Sequence, residues 1–169
     1  DGRRQYRYHE RWTATRGRVK FDRMLELARA LPAARAGVTR DLAADGLGRD
    51  RVLAGAFRLL DRAGLRLGDR SAADERGTIG LTTLRGEHVT VRRDGVVALS
   101  FPGKSGHAWM REVDDPALAV LVAALKRGRG DEVLFAWRDG GGRPHAVTPS
   151  EVNDDLRRRL QPRGGVTHG

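Results

Sequence analysis

Apolar positions along the chain change period twice. Phe21, Met24, Leu25, Ala28 and Leu31 fall at helical spacing on one face. Pro32 is expected to end that helix, because proline lacks the amide proton that a helix interior needs. A second helix is expected over 33–45 and a third over about 50–63. In the third, Val52, Leu53, Ala56, Phe57 and Leu60 make an apolar face, and Arg51, Arg58 and Arg62 lie away from it. Gly64 is a natural stop. The period then becomes two. Val89 and Val91 alternate with Thr90 and Arg92, and Val97, Leu99 and Phe101 alternate with Ala98 and Ser100. Between these runs, Asp94-Gly95 predicts a tight hairpin. A second turn, Pro102 to Gly106, leads to a third strand near 107–113.

Helical signals return after the strands. Asp115 caps a helix with Pro116 in its first turn. Residues 132–137 predict a short apolar strand or turn, and Gly140-Gly141-Gly142 a loop. Thr148-Pro149-Ser150-Glu151 is a capping box that opens a last helix to about Leu160. At the other end, residues 3–9 alternate like an edge strand. The expected class is α+β, mainly helical, with one three-stranded antiparallel meander.

Charge narrows the function. There are 32 basic and 22 acidic residues, for a net charge of +10. All but Lys20, Lys104 and Lys126 of the basic residues are arginine, a skew that a GC-rich gene produces by itself. The net charge has no such origin, because such a gene encodes Asp and Glu equally well. Residues 1–23 alone carry eight basic and three acidic side chains. A polyanion is the natural partner. No cysteine is present, which excludes disulfides, thiolate metal sites and a cysteine nucleophile. The longest apolar run, Ala117 to Leu125, is well short of the roughly 20 residues that cross a bilayer. A soluble cytoplasmic protein, without membrane association, is expected.

Few residues stand out as chemistry. Gly103-Lys104-Ser105 resembles the end of a P-loop, but Ala98 stands where the first glycine belongs and no helix follows. His9, His88, His107, His145 and His168 show no metal-ligand spacing, so no metal or cofactor is expected. Lys104 sits between glycines at a turn, where an ammonium can reach into a groove and donate a proton or hold a phosphate. Turns also carry ordinary exposed lysines. Arg66 follows the helix stop with apolar neighbours on both sides, and is either structural or aimed at an anion. Tyr6 and Tyr8 share one face of the first strand, beside Gln5 and arginines that include Arg3 and Arg4. Aromatic and basic groups interleaved in this way suit stacking and phosphate contact.

Taken in order, these pieces resemble the bacterial type IB DNA topoisomerases, the poxvirus-like kind. The resemblance rests on Gly2-Arg3-Arg4-Gln5-Tyr6-Arg7-Tyr8-His9, Lys20-Phe21, Leu59-Leu60-Asp61 to Arg66-Leu67-Gly68, Gly80-Leu81-Thr82-Thr83-Leu84-Arg85 with His88-Val89, Phe101 to Gly106, and Val152-Asn153. It implies that residues 1–20 end an N-terminal β lobe and that 21–169 form a helical catalytic lobe. It also implies nicking of duplex DNA through a 3′-phosphotyrosyl bond, without ATP, by a monomer. Arg66 would be a catalytic arginine and Lys104 the general acid, and Arg3, Arg4, Gln5, Tyr6 and Tyr8 would touch DNA.

Departures from the family pattern qualify this. Ala72 and Arg76 stand where the family has a tyrosine and an asparagine. The family's Lys-Asp-x-Arg block, histidine and nucleophilic tyrosine have no counterpart before Gly169, and the only tyrosines are Tyr6 and Tyr8. The expectation is a fragment, incomplete at the C-terminus, that binds DNA without cutting it. A non-catalytic DNA-binding module and a tyrosine recombinase-like fragment are the alternatives.

Overall fold

The computed structural model describes residues 10–68, 79–102, 108–127 and 132–161, with side chains from Phe21 onward except that of Arg23. Helix α1 spans Glu10–Leu42 and α2 spans Arg49–Ala63. Two short 3-10 turns, Leu81–Thr83 and Gly86–His88, lead into strands β1 (Val89–Val91), β2 (Val96–Pro102) and β3 (Ala108–Asp114). Helix α3 (Pro116–Lys126), strands β4 (Ala136–Arg138) and β5 (Pro144–Ala146), and helix α4 (Pro149–Leu160) follow. The fold is α+β and mainly helical, as the periods predict. Residues 1–9, where the edge strand was expected, lie outside the described residues.

The meander forms in the expected order β1-β2-β3, fully antiparallel. Its register pairs Val91 with Val97, and Phe101 with Trp109. The first connection is one residue longer than a tight Asp94-Gly95 turn. The Arg92 amide donates to the Val96 carbonyl, and Gly95 closes the loop at φ 84°. Glycine is favoured there because other residues rarely adopt that angle. β4 and β5 form a second hairpin around the three glycines, which the sequence pattern left as a strand or turn and a loop.

The expected break at Pro32 is absent: α1 runs through it. Proline withholds one amide and crowds one carbonyl, but its fixed φ is helical. The turns after it are anchored by Ala34, Val38 and Leu42, all buried. Tertiary burial outweighs a local breaker here. Before Pro32 the helical spacing is right, but the apolar face stays open. Phe21 and Met24 stay 57% and 55% exposed.

The core lies between α1, α2, α3 and the sheet, around Leu53, Leu59, Leu84, Leu99, Leu121 and Phe135. Helices α1 and α2 run antiparallel, tied by the Arg35–Asp61 pair at 2.8 Å. Three arginines of α2 were expected to point away from its apolar face. Arg62 does, but Arg58 is buried and Arg51 half-buried. Arg58 bonds Thr39 Oγ1 at 2.7 Å and pairs with Asp115 at 3.2 Å. Arg51 donates to the Leu42 and Gly46 carbonyls and so closes the end of α1. These arginines make the fold rather than a binding surface.

Candidate nucleic-acid interface

Two stretches far apart in sequence build the region around Arg66. Gly64 ends α2 in the left-handed conformation at φ 66° and releases the chain toward the sheet. Leu65 and Leu67 then turn inward, and Arg66 between them is exposed. The Arg66 carbonyl accepts from the Leu81 amide, and the Leu67 carbonyl from the Thr82 amide, both at 2.9 Å. Thr82 Oγ1 also donates to the Leu67 carbonyl at 3.2 Å. The backbone beneath Arg66 is therefore held on both sides. Its guanidinium has no side-chain partner among the described residues. That separates it from Arg35, Arg49, Arg51, Arg58, Arg62 and Arg92, all engaged in hydrogen bonds or ion pairs.

A chain of contacts leads on toward the paired ends of β2 and β3. The Arg85 amide donates to His88 Nδ1 at 3.0 Å. The His88 ring meets the Phe101 ring edge-on at 6.0 Å, and Phe101 stacks on Trp109 at 4.7 Å. Arg111 lies 5.5 Å above Trp109. Phe101 and Trp109 face each other one pair before the ends of β2 and β3, where Pro102 pairs with Ala108. Residues 103–107, which include Lys104, lie outside the described residues, and so do Arg3, Arg4, Gln5, Tyr6 and Tyr8. Of the expected site, Arg66 alone is described.

Trp109 and Arg111 were not singled out from the sequence. The period of β3 could have found them, because it puts both on the face that Val113 buries. His145 and Trp137 belong elsewhere. Their rings stack at 4.3 Å, His145 Nε2 is 2.8 Å from Asp139, and Trp137 donates to Glu151 at 3.2 Å. This cluster fastens the β4–β5 hairpin to the start of α4. Among the described residues no group of three or more His, Asp or Glu side chains could hold a metal ion, and no helix is long and apolar enough to cross a membrane.

Burial pushes the pKa of His88 below its ordinary value, against the smaller opposing effect of Glu87. An acceptor at Nδ1 also requires the neutral ring. As pH falls through the ordinary histidine range, near 6.5, the unfolded chain takes up a proton that the folded chain resists. Folding stability should therefore drop on the acid side. His88→Asn, whose Oδ1 can still accept from Arg85, should flatten the thermal midpoint between about pH 7 and 5. An equally steep profile in that variant would show that His88 titrates no differently once folded.

Residues 9–162 match the family described as eukaryotic DNA topoisomerase I, catalytic core. The chain belongs to this family. It is 30% identical over 163 residues to DNA topoisomerase 1B of Acanthamoeba polyphaga mimivirus, covering 94% of this chain and 48% of that protein. It is 29% identical over 125 residues to DNA topoisomerase 1 of Daucus carota, covering 72% of this chain and 16% of that protein. With DNA topoisomerase 1 of Schizosaccharomyces pombe it shares 31% over 109 residues, or 64% of this chain and 13% of the other. The chain thus spans about half of the viral relative and less of the other two. The type IB family drawn from the motifs is the one matched.

Proposed function

We propose that these residues supply part of the catalytic lobe of a type IB DNA topoisomerase of the bacterial, poxvirus-like kind, which relaxes duplex DNA by transient cleavage of one strand. In this reading Arg66 stabilises the negative charge that builds on the non-bridging phosphate oxygens. A fixed guanidinium fork suits that task. Lys104 protonates the departing 5′-oxygen, because an alkoxide leaves poorly without a proton donor. Arg3, Arg4, Gln5, Tyr6 and Tyr8 contact the duplex. The protein acts as a cytoplasmic monomer and needs no metal or cofactor. The observation that carries the reading is Arg66, a solvent-facing arginine without a partner among the described residues, on backbone held by Leu81 and Thr82. A charge stabiliser has to be both free to meet phosphate and rigidly placed.

This polypeptide has only Tyr6 and Tyr8, both assigned to DNA contact, so it should bind duplex DNA without nicking it. Binding should weaken steeply with salt, at about 0.9 log units of affinity per log unit of salt for each phosphate contacted. Arg66→Ala should lower affinity about ten-fold and the salt slope by about one, with no change in thermal midpoint. Fluorescence anisotropy with a labelled duplex measures both. A flat salt response, or an Arg66→Ala variant that binds like the parent, would remove the DNA face. Relaxation of supercoiled plasmid by these 169 residues would overturn the assignment of the tyrosines.

A further inference from the structure

A second basic site lies between α1 and α4. There a cavity of about 650 Å³ opens along α1, floored by Ala30, Ala33, Ala34 and Gly37. Two guanidinium groups converge over Gly37. A Cβ at that position would stand 3.7 Å from Arg159 Nη1 and 3.8 Å from Arg40 Nη2.

Arg159 is already committed on two sides. Its side chain is 6% exposed, its Nε donates to Asp155 at 2.6 Å, and its Nη2 pairs with Asp41 at 2.7 Å. Burial opposes its charge, but the hydrogen bonds and charges of Asp155 and Asp41 hold its pKa above the ordinary value. Those contacts lock the fork and leave Nη1 facing Gly37. The Arg40 side chain has no hydrogen-bond or ion-pair partner among the described residues. Arg29 is also unpaired among them and lines the same cavity. Arg159 is shared between Asp41 and Asp155, so the free positive charge of the cavity comes from Arg29 and Arg40, with Glu26 beside them.

We propose that this cavity binds a small phosphate-bearing ligand, separately from the Arg66 face. Arg29 and Arg40 supply the free charge that a doubly charged phosphate needs, and Arg159 Nη1 adds a fixed donor, whereas a carboxylate is satisfied by a single arginine. The volume is that of a small-molecule site, and the alanine floor offers a flat apolar surface to a base or ring. The proposal does not depend on the topoisomerase reading.

The test is thermal unfolding of the 169-residue protein in inorganic phosphate or in adenosine 5′-diphosphate, against sodium chloride of equal ionic strength. Both ligands should raise the midpoint, because a ligand that binds the folded state alone stabilises it. A larger rise with the nucleotide would show the alanine floor taking the base, and equal rises would show that the phosphate alone is held. Arg40→Gln changes an exposed residue and should weaken both ligands about ten-fold, whereas Arg66→Ala should leave them unchanged. No rise above chloride would overturn the proposal, as would an undiminished rise in Arg40→Gln. Displacement of bound nucleotide by a short duplex would also overturn it, because the cavity would then be part of the DNA face.

Discussion

Asp115→Ala should destabilise the protein by about 3–5 kcal/mol, mainly by stranding a buried charge. Asp115 is 7% exposed and does two things at once. One carboxylate oxygen accepts from the Leu118 amide at 3.0 Å and caps α3. The other faces Arg58 at 3.2 Å and Arg62 at 3.9 Å. The cap alone is worth about 1 kcal/mol. The larger loss comes from Arg58, whose Nε already lacks a hydrogen-bond partner. Domains are stable by only about 5–15 kcal/mol, so the change would take a large share. Urea denaturation reads it directly.

The mechanism can be separated from the cap. Arg58→Met with Asp115→Ser removes both charges and keeps a capping side chain. That double variant should be more stable than Asp115→Ala alone. If it is less stable, or if Asp115→Ala costs under about 1 kcal/mol, water screens the pair and the buried-charge account fails. The consequence reaches the site, because the Arg58–Asp115 pair ties α2, whose end positions Arg66, to the start of α3.

Gly80→Ala should cost about 3 kcal/mol, the upper end for overpacking. A Cβ on Gly80 would stand 2.5 Å from the Gly68 Cα, 2.6 Å from its nitrogen and 2.9 Å from the Arg66 carbonyl oxygen. All three are backbone atoms, so no side chain can swing away. The conformation is not the obstacle. Gly80 has φ −141° and ψ −174°, extended backbone that alanine adopts freely. The methyl group would have to part the two segments and break the Leu81–Arg66 hydrogen bond. DNA affinity should fall to that of Arg66→Ala, although the methyl touches nothing but the chain itself. Gly140→Ala is the control. Its Cβ meets nothing within 4 Å, and the change should stay within about 0.5 kcal/mol. Equal effects at the two positions would show that the segments are not in close contact.

The two glycines explain part of the family resemblance in physical terms. Gly80 opens Gly-Leu-Thr-Thr-Leu and Gly68 closes Arg66-Leu67-Gly68, and the two motifs pair through their backbones. Each motif was visible in the sequence, but their pairing was not. Nothing in either stretch says that the other lies against it.

What the chain determined by itself is local. The alternation of Val97, Leu99 and Phe101, the glycine after Asp94, the Asp115 cap and the Thr148 capping box each act within a few residues, and each formed nearly where it was expected. The folded state decided whatever depended on distant neighbours. Pro32 lies inside a helix because the turns after it are buried against the core. Arg58 turned inward because Asp115 waits there, and Arg66 turned outward because Leu65 and Leu67 on either side of it did not. Periodicity, turns and caps are set by neighbours in sequence. Burial and charge pairing are set by whichever surfaces the whole chain brings together, so they become readable only when it has folded.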